Sequence, residues 1–253
     1  MIKRTLFWLL AAVVALAALV GVEIVLALRR EYLPTEPVLD VSGQFGAPNR
    51  TPLHFVVLGD STSAGVGAGT AENAYPWTLA ERLAEEGRYV TLETFGVSGA
   101  RVGDVLSDQV AKAVAANPDL IFVGIGANDV VHLTSLDDVR RDFAEILDRL
   151  KETGAELVVA GPPDMRAAAW HEPLRSLSGW RGRIVASEMG EVARDRGITV
   201  VPLAEITGPF FTEDGDAAYS GDLFHPGVRG YGHWADAIYP YLRDALADGS
   251  ASG

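Results

Sequence analysis

Cysteine is absent from all 253 positions. Disulfides, thiolate nucleophiles and cysteine-based zinc sites are thereby excluded, whereas an oxidising compartment is not. Basic residues are scarce: 21 Lys and Arg stand against 34 Asp and Glu, a formal net charge of −13. That balance argues against nucleic acid as a partner, because phosphate binding is driven largely by Lys and Arg, and otherwise it reads as a solvated surface. A phosphate-binding loop is missing as well. Ser63-Ala64-Gly65-Val66-Gly67-Ala68-Gly69 is glycine-rich, but it lacks the GxxxxGK[ST] spacing, has no lysine nearby and follows Asp60, which would repel a phosphate. His54, His132, His171 and His233 form no metal-ligand pattern and read as surface or hydrogen-bonded core residues, so no metal and no other cofactor is expected. Neither an internal repeat nor a low-complexity stretch is visible.

One long hydrophobic run is present. After Met1-Ile2-Lys3-Arg4, the segment Thr5 to Leu28 carries Glu23 as its only charge. As a helix rising ~1.5 Å per residue it spans about 36 Å, enough for a hydrocarbon core of ~30 Å. A secretory signal is the competing reading, since Ala15-Leu16-Ala17 resembles a small-residue cleavage site. The apolar run continues past that point and stops only at Arg29-Arg30, so residues 1–30 are expected to be an uncleaved anchor, with residues 5–28 in the cell membrane. Basic residues flank both ends. The preferred orientation is a single pass with the domain outside the cytoplasm, and secretion is the alternative. Residues 31–52 show no periodic pattern; Pro34, Pro37, Pro48 and Pro52 with Gly43 and Gly46 suggest an extended tether. Roughly 200 residues remain, which suits one core: a domain over 53–247 and a tail over 248–253.

Within that domain strands and helices alternate. Leu53–Leu58 is an apolar strand, and Tyr75–Gly87 a helix with Trp77, Leu79 and Leu83 on one face. A strand over Tyr89–Phe95, a helix over Val102–Ala116 and a nearly all-apolar strand over Asp119–Ile125 follow. Next come a helix at Ser135–Thr153, a strand at Glu156–Ala160, a helix at Trp180–Arg196, a short strand at Ile198–Pro202 and a closing helix at Gly227–Ala247. This alternation predicts an α/β fold with a five-stranded parallel sheet and right-handed crossovers. Ligands of such a sheet bind beyond the carboxyl ends of its strands. Ser61, Gly99 and Asn128 fall just past the ends of the first three strands.

Each of these residues has a chemical and a plain reading. Ser61, in Gly59-Asp60-Ser61, can expose a hydroxyl at a strand-to-loop turn, but a serine needs a base within reach to become a nucleophile, and Asp and Ser are ordinary turn formers. Gly99 can bring an unobstructed backbone N–H to a developing oxyanion, and Asn128 can offer a neutral side-chain donor. Taken singly, Gly99 also reads as a turn glycine and Asn128 as a helix cap, while Asp129 reads as a cap or structural hydrogen-bonder. His225 stands apart from the other histidines. In Asp222-Leu223-Phe224-His225 the carboxylate can accept the imidazole Nδ1–H and leave Nε2 free to take a proton.

These four blocks, in this order, resemble the SGNH hydrolase family of GDSL-type esterases and lipases, over most of the region from Phe55 to about Leu246. Ser61, Gly99, Asn128 and His225 match the residues that name the family, and Asp222 its usual acidic partner. The resemblance implies a flavodoxin-like three-layer α/β/α fold and ester hydrolysis through a covalent acyl-enzyme, usually without metal. Ser61, His225 and Asp222 are then the catalytic residues, and Ser61, Gly99 and Asn128 form the oxyanion hole. Thr62 stands where the motif often has Leu, which bears on substrate preference. The expected substrate is a small-molecule, lipid or acylated-sugar ester. An O-acyltransferase or carbohydrate deacetylase using the same residues is an alternative; an inactive binding module is disfavoured by the complete catalytic set. Trp170, Trp180, Phe210, Phe211, Tyr219 and Phe224 can line a substrate pocket or pack in the core or on the surface.

Overall fold

The computed structural model describes residues 2–29 and 39–251. Helix α1 (Ile2–Arg29) precedes a six-stranded sheet. The strands are β1 (Gly43–Phe45), β2 (Thr51–Gly59), β3 (Arg88–Thr94), β4 (Leu120–Gly124), β5 (Glu156–Ala160) and β6 (Thr199–Val201), in the order β1-β3-β2-β4-β5-β6. All neighbouring pairs from β3 to β6 are parallel; β1 runs antiparallel along the outer edge of β3. The five expected parallel strands are therefore present, with the doubly wound order in which the chain starts near the middle and reverses direction once. The sixth strand adds an edge.

Burial along β2 explains the three layers. Phe55 and Val57 face one side, Val56 and Leu58 the other, and all four are fully buried, as a central parallel strand covered on both faces requires. Phe55 and Val57 join Tyr75, Leu79 and Leu83 of α2 (Tyr75–Glu85) and Tyr231, Ile238 and Leu242 of α9 (Val228–Ala251). Val56 and Leu58 join a second cluster with Val105, Val110 and Ala113. Phe143 and Ile146 of α6 (Leu136–Lys151) and Val185 and Met189 of α7 (Leu174–Arg194) complete that cluster. Each large side chain so buried contributes about 1.5–3 kcal/mol. Ser135 caps α6 by accepting from Asp138 N at 3.1 Å. Asp137 and Asp138 lie in its first turn and Arg149 and Lys151 in its last, all favourable to the helix dipole.

Several expectations change. Of the expected tether, residues 31–38 lie outside the described residues, but Val41 and Phe45 are core residues and β1 pairs with β3. Three residues of strand flanked by prolines and glycines are too short to carry a periodic signal. The helix expected over Val102–Ala116 is interrupted: α3 (Val102–Asp104) passes through a wide π-type turn at Val105–Gln109 into α4 (Val110–Ala116). Helix α7 begins six residues before the expected Trp180 because Gly179 and Gly182 look like breakers. They are there for closeness: a Cβ on Gly179 would lie 2.5 Å from Arg166 Cγ, and one on Gly182 2.8 Å from Met165 Cγ. Two helices were not expected, α5 (Ala127–Val131) and α8 (Leu203–Asp214). The first is a single turn, and the second contains Pro209 and Gly208. The closing helix extends to Ala251, through most of the expected tail.

Candidate active site

The carboxyl end of β2 is fixed before any catalytic side chain is placed. Gln109, buried in the π-type turn, holds both backbone groups of Gly59: Gly59 N–H donates to its Oε1 at 3.0 Å, and its Nε2 donates to Gly59 O at 2.8 Å. No larger residue fits at position 59, because a Cβ would lie 2.2 Å from Gly124 O and 2.3 Å from Ser63 Oγ. The next residue, Asp60, is buried, and its Oδ1 accepts from Thr62 N (2.9 Å) and Thr62 Oγ1 (2.8 Å). Burial raises the Asp60 pKa, opposed by the Thr62 hydrogen bonds and by the nearby His225. Val66 N donates to Ser61 O at 2.9 Å, and Ser63 Oγ hydrogen-bonds Tyr75 OH at 2.7 Å. Ser61 thus sits on a turn tied at every side.

His225 reaches that turn from far along the chain. Its Nε2 lies 3.0 Å from Ser61 Oγ, and its Nδ1 lies 2.7 Å from Asp222 Oδ2. The other Asp222 oxygen accepts from Ser220 Oγ (2.8 Å), Phe224 N (2.9 Å) and His225 N (2.9 Å). Burial alone would raise the Asp222 pKa, but the hydrogen bonds from His225, Phe224 and Ser220 outweigh it and hold the carboxyl far below its ordinary range. Asp222 is accordingly an anion at neutral pH, able to fix the imidazole tautomer.

Asn128 is the second residue of α5, which starts three positions after the end of β4. Its Nδ2 donates to Ala100 O at 3.0 Å, which orients the amide and leaves a second N–H. It lines one cleft with Ser61 and His225. Asp129 is buried and accepts from Val102 N at 3.0 Å, the structural role expected of it. Gly99 is exposed with φ +81°, a left-handed conformation suited to glycine, and lies on the loop whose Ala100 holds Asn128. It lines a separate shallow hollow with Val97, Ser98 and Ala100, and not the Ser61 cleft. The structure therefore brings Ser61, His225, Asp222 and Asn128 together and sets Gly99 at their margin.

The cleft has a cavity volume of about 50 Å³ and mainly apolar walls, among them Met165, Phe211, Tyr219 and Phe224. Of the six aromatic candidates, only Phe211, Tyr219 and Phe224 line it. Trp170 is buried against Phe224, Phe210 stacks on His233 with ring centroids 4.1 Å apart, and Trp180 faces solvent. Thr62 and Trp234 also line the cleft. Asp164, paired with Arg166, stands at its wall; burial and that carboxylate push the Tyr219 hydroxyl up to about 12. Gln109 was not foreseen, although a single glutamine at core spacing between Val105 and Ala113 is a visible signal of a buried polar contact.

A three-layer sheet with a hydrogen-bonded Asp–His–Ser line at its carboxyl edge is the arrangement of a serine-hydrolase scaffold. The chain belongs to the GDSL-like lipase/acylhydrolase family, whose model matches residues 57–233. It is 32% identical over 199 residues to the GDSL-like esterase Rv1075c of Mycobacterium tuberculosis, a match covering 78% of this chain and 63% of that protein. An arylesterase of Vibrio mimicus is 30% identical over 113 residues, 45% of this chain and 56% of its own. The chain thus spans about three-fifths of the length of these relatives. Among solved structures, phospholipase A1 from Streptomyces albidoflavus superposes with a TM-score of 0.60 at 22% identity, covering 76% of this chain and 99% of that one. At that identity the likeness shows a common fold.

Proposed function

We propose that this protein is a membrane-anchored serine hydrolase that cleaves carboxylic esters through an acyl-enzyme. The continuous line from Asp222 through His225 to Ser61, at 2.7 and 3.0 Å, carries this reading. His225 Nε2 takes the Ser61 proton as Oγ adds to the ester carbonyl carbon. The oxyanion that forms is held by the Ser61 N–H and the free N–H of the Asn128 amide, while Gly99, outside the cleft, shapes the loop whose Ala100 orients that amide. Protonated His225 then gives its proton to the departing alkoxide as the C–O bond breaks. Water, deprotonated by the same nitrogen, adds to the acyl-enzyme and releases the acid and Ser61. Asp222 stabilises the imidazolium in both halves. The apolar cleft walls favour a substrate with a hydrocarbon acyl or alcohol group.

The anchor is α1. Its stretch Arg4–Ala27 has a mean hydropathy of 2.8 and is not buried in the protein, so its apolar surface is available to a bilayer. For the domain we prefer the side outside the cytoplasm, with secretion as the alternative.

Two measurements test the assignment. A serine-directed phosphonate should label Ser61, and Ser61→Ala should abolish both labelling and esterase activity. Ser61→Ala and His225→Ala should cost similar amounts, with the double variant little worse, because the two act as one unit. Labelling of another residue with full loss of activity, or losses that multiply, would refute it.

A further inference from the structure

We propose that the catalytic end of the domain lies flat on a lipid surface, docked through Val131, Leu133, Leu177 and Trp180, so that the ester is drawn from the lipid phase. This rests on the anchor reading of α1.

Among the described residues outside α1, Leu133 is the most exposed large hydrophobic side chain at 71%, and Trp180 follows at 57%; Leu177 and Val131 are 45% and 41% exposed. They form one rim. Val131 is the last residue of α5, which carries Asn128, and Leu133 lies two positions beyond it; Leu177 and Trp180 lie in the first turns of α7, which packs on α5. The Arg181 guanidinium ties the two together by donating to Thr134 O at 2.5 Å. Leu133 also has φ +54°, a left-handed conformation that bulky side chains avoid. Neighbouring bonds impose it: His132 N donates to Asn128 O at 2.8 Å, and Thr134 N to Asp129 O at 3.0 Å. A strained leucine held out into water beside the site has no role in packing the domain. Clustered exposed apolar residues mark an interaction surface.

The connection to α1 says what covers that surface. Ala27, in the last turns of α1, packs against the core cluster of α6 and α7, and α1 touches α7. The described chain resumes at Leu39, which lies with Val41 beside Gly65 on the loop following Ser61: a Cβ on Gly65 would meet them at 3.3 and 3.2 Å. The described chain thus resumes at the carboxyl edge of the sheet, and α1 touches the helix that carries Leu177 and Trp180. Ten residue steps from Arg29 to Leu39 reach at most about 35 Å. A bilayer crossed by α1 is therefore tied within that reach of the catalytic end, on the α7 side of the domain. Charge agrees: between Asp164 and Arg183 there are four arginines and two acids, in a chain of net charge −13. That local excess suits anionic headgroups.

The cysteine-free chain allows a direct test. Full-length Leu133→Cys, and separately Leu177→Cys, would carry an environment-sensitive fluorophore and be reconstituted into phosphatidylcholine–phosphatidylglycerol vesicles with brominated acyl chains. Both labels should shift to the blue and be quenched by bromine, whereas a label at Glu152→Cys, beyond the end of α6 at the far edge of the sheet, should stay in water. In unlabelled protein, Leu133→Asp with Trp180→Glu should lower the ratio of turnover on a vesicle-borne ester to that on a soluble ester by about tenfold. A protein that floats with vesicles while the labels at 133 and 177 remain aqueous would overturn the docking and spare the anchor. Failure to float would overturn the anchor, and docking with it. A blue shift that follows protein density without bromine quenching would assign the rim to a second copy of the chain and overturn the lipid assignment.

Discussion

Replacing Asp222 with asparagine separates the charge of the carboxylate from its shape. Oδ1 of Asp222 accepts three hydrogen bonds, from Ser220 Oγ, Phe224 N and His225 N, and an asparagine amide oxygen in that place keeps all three. The amide nitrogen then occupies the position of Oδ2, 2.7 Å from His225 Nδ1. A donor now faces a donor, so the imidazole must move its proton to Nε2, and the nitrogen 3.0 Å from Ser61 Oγ can no longer accept from it. The expected loss in kcat is about 10⁴-fold, equivalent to about 5.4 kcal/mol at 1.36 kcal/mol per decade. The unfolding midpoint should shift little, because no donor on the Oδ1 side is orphaned. Initial rates on a chromogenic acetate ester, read beside a thermal melt, would measure both. Retention of more than about a tenth of the activity with an unchanged melt would show that Asp222 does not set the tautomer.

Two further outcomes follow from the same geometry. Asn128→Ala should lower kcat by roughly 10²- to 10³-fold with a smaller change in KM, since the oxyanion forms chiefly in the transition state; a change confined to KM in steady-state kinetics would remove Asn128 from the oxyanion hole. Asp60 bears on stability. Its carboxyl pKa is raised by burial, so the fold favours the protonated acid; that contribution is present below the ordinary value of ~3.9 and is lost as pH rises through the folded-state value. Asp60→Asn stays neutral and can still accept from Thr62 N, so its unfolding free energy in urea should fall less than that of the parent between about pH 4 and 7. Parallel pH profiles would mean that Asp60 does not titrate in this way.

The parts of the molecule that were readable in the sequence are those in which one residue type has one physical reason to be there. Val56, Val57 and Leu58, apolar in succession, suit a strand covered on both faces, and Asp222 stands at the spacing from which a turn brings a carboxylate to the His225 ring. The spacing of Gln109 signals burial, but its partner was out of reach, because Gly59 is fifty residues earlier and the contact depends on a wide helical turn. Helix α8 was hidden by Gly208 and Pro209, which read as breakers although Gly208 is small because Asp164 Oδ2 would lie 2.9 Å from a Cβ there. The exposed rim was not legible as a unit: Trp180 suited a pocket, the core or the surface equally, and nothing set Leu133 apart until its neighbours were known.

The 164 positions that separate Ser61 from His225 give the active site a timing as well as a shape. Strand β2 lies in the middle of the sheet, with β3, β4, β5 and β6 added around it by later segments, and the base arrives only in the loop before α9. While the chain is still emerging from the ribosome, Ser61 has no proton acceptor and is an inert alcohol. Hydrolytic competence is withheld until nearly the whole domain has been made and α9 has closed over the sheet. Activity regained on refolding therefore reports that His225 has met Ser61, and a copy that ends before His225 is chemically silent.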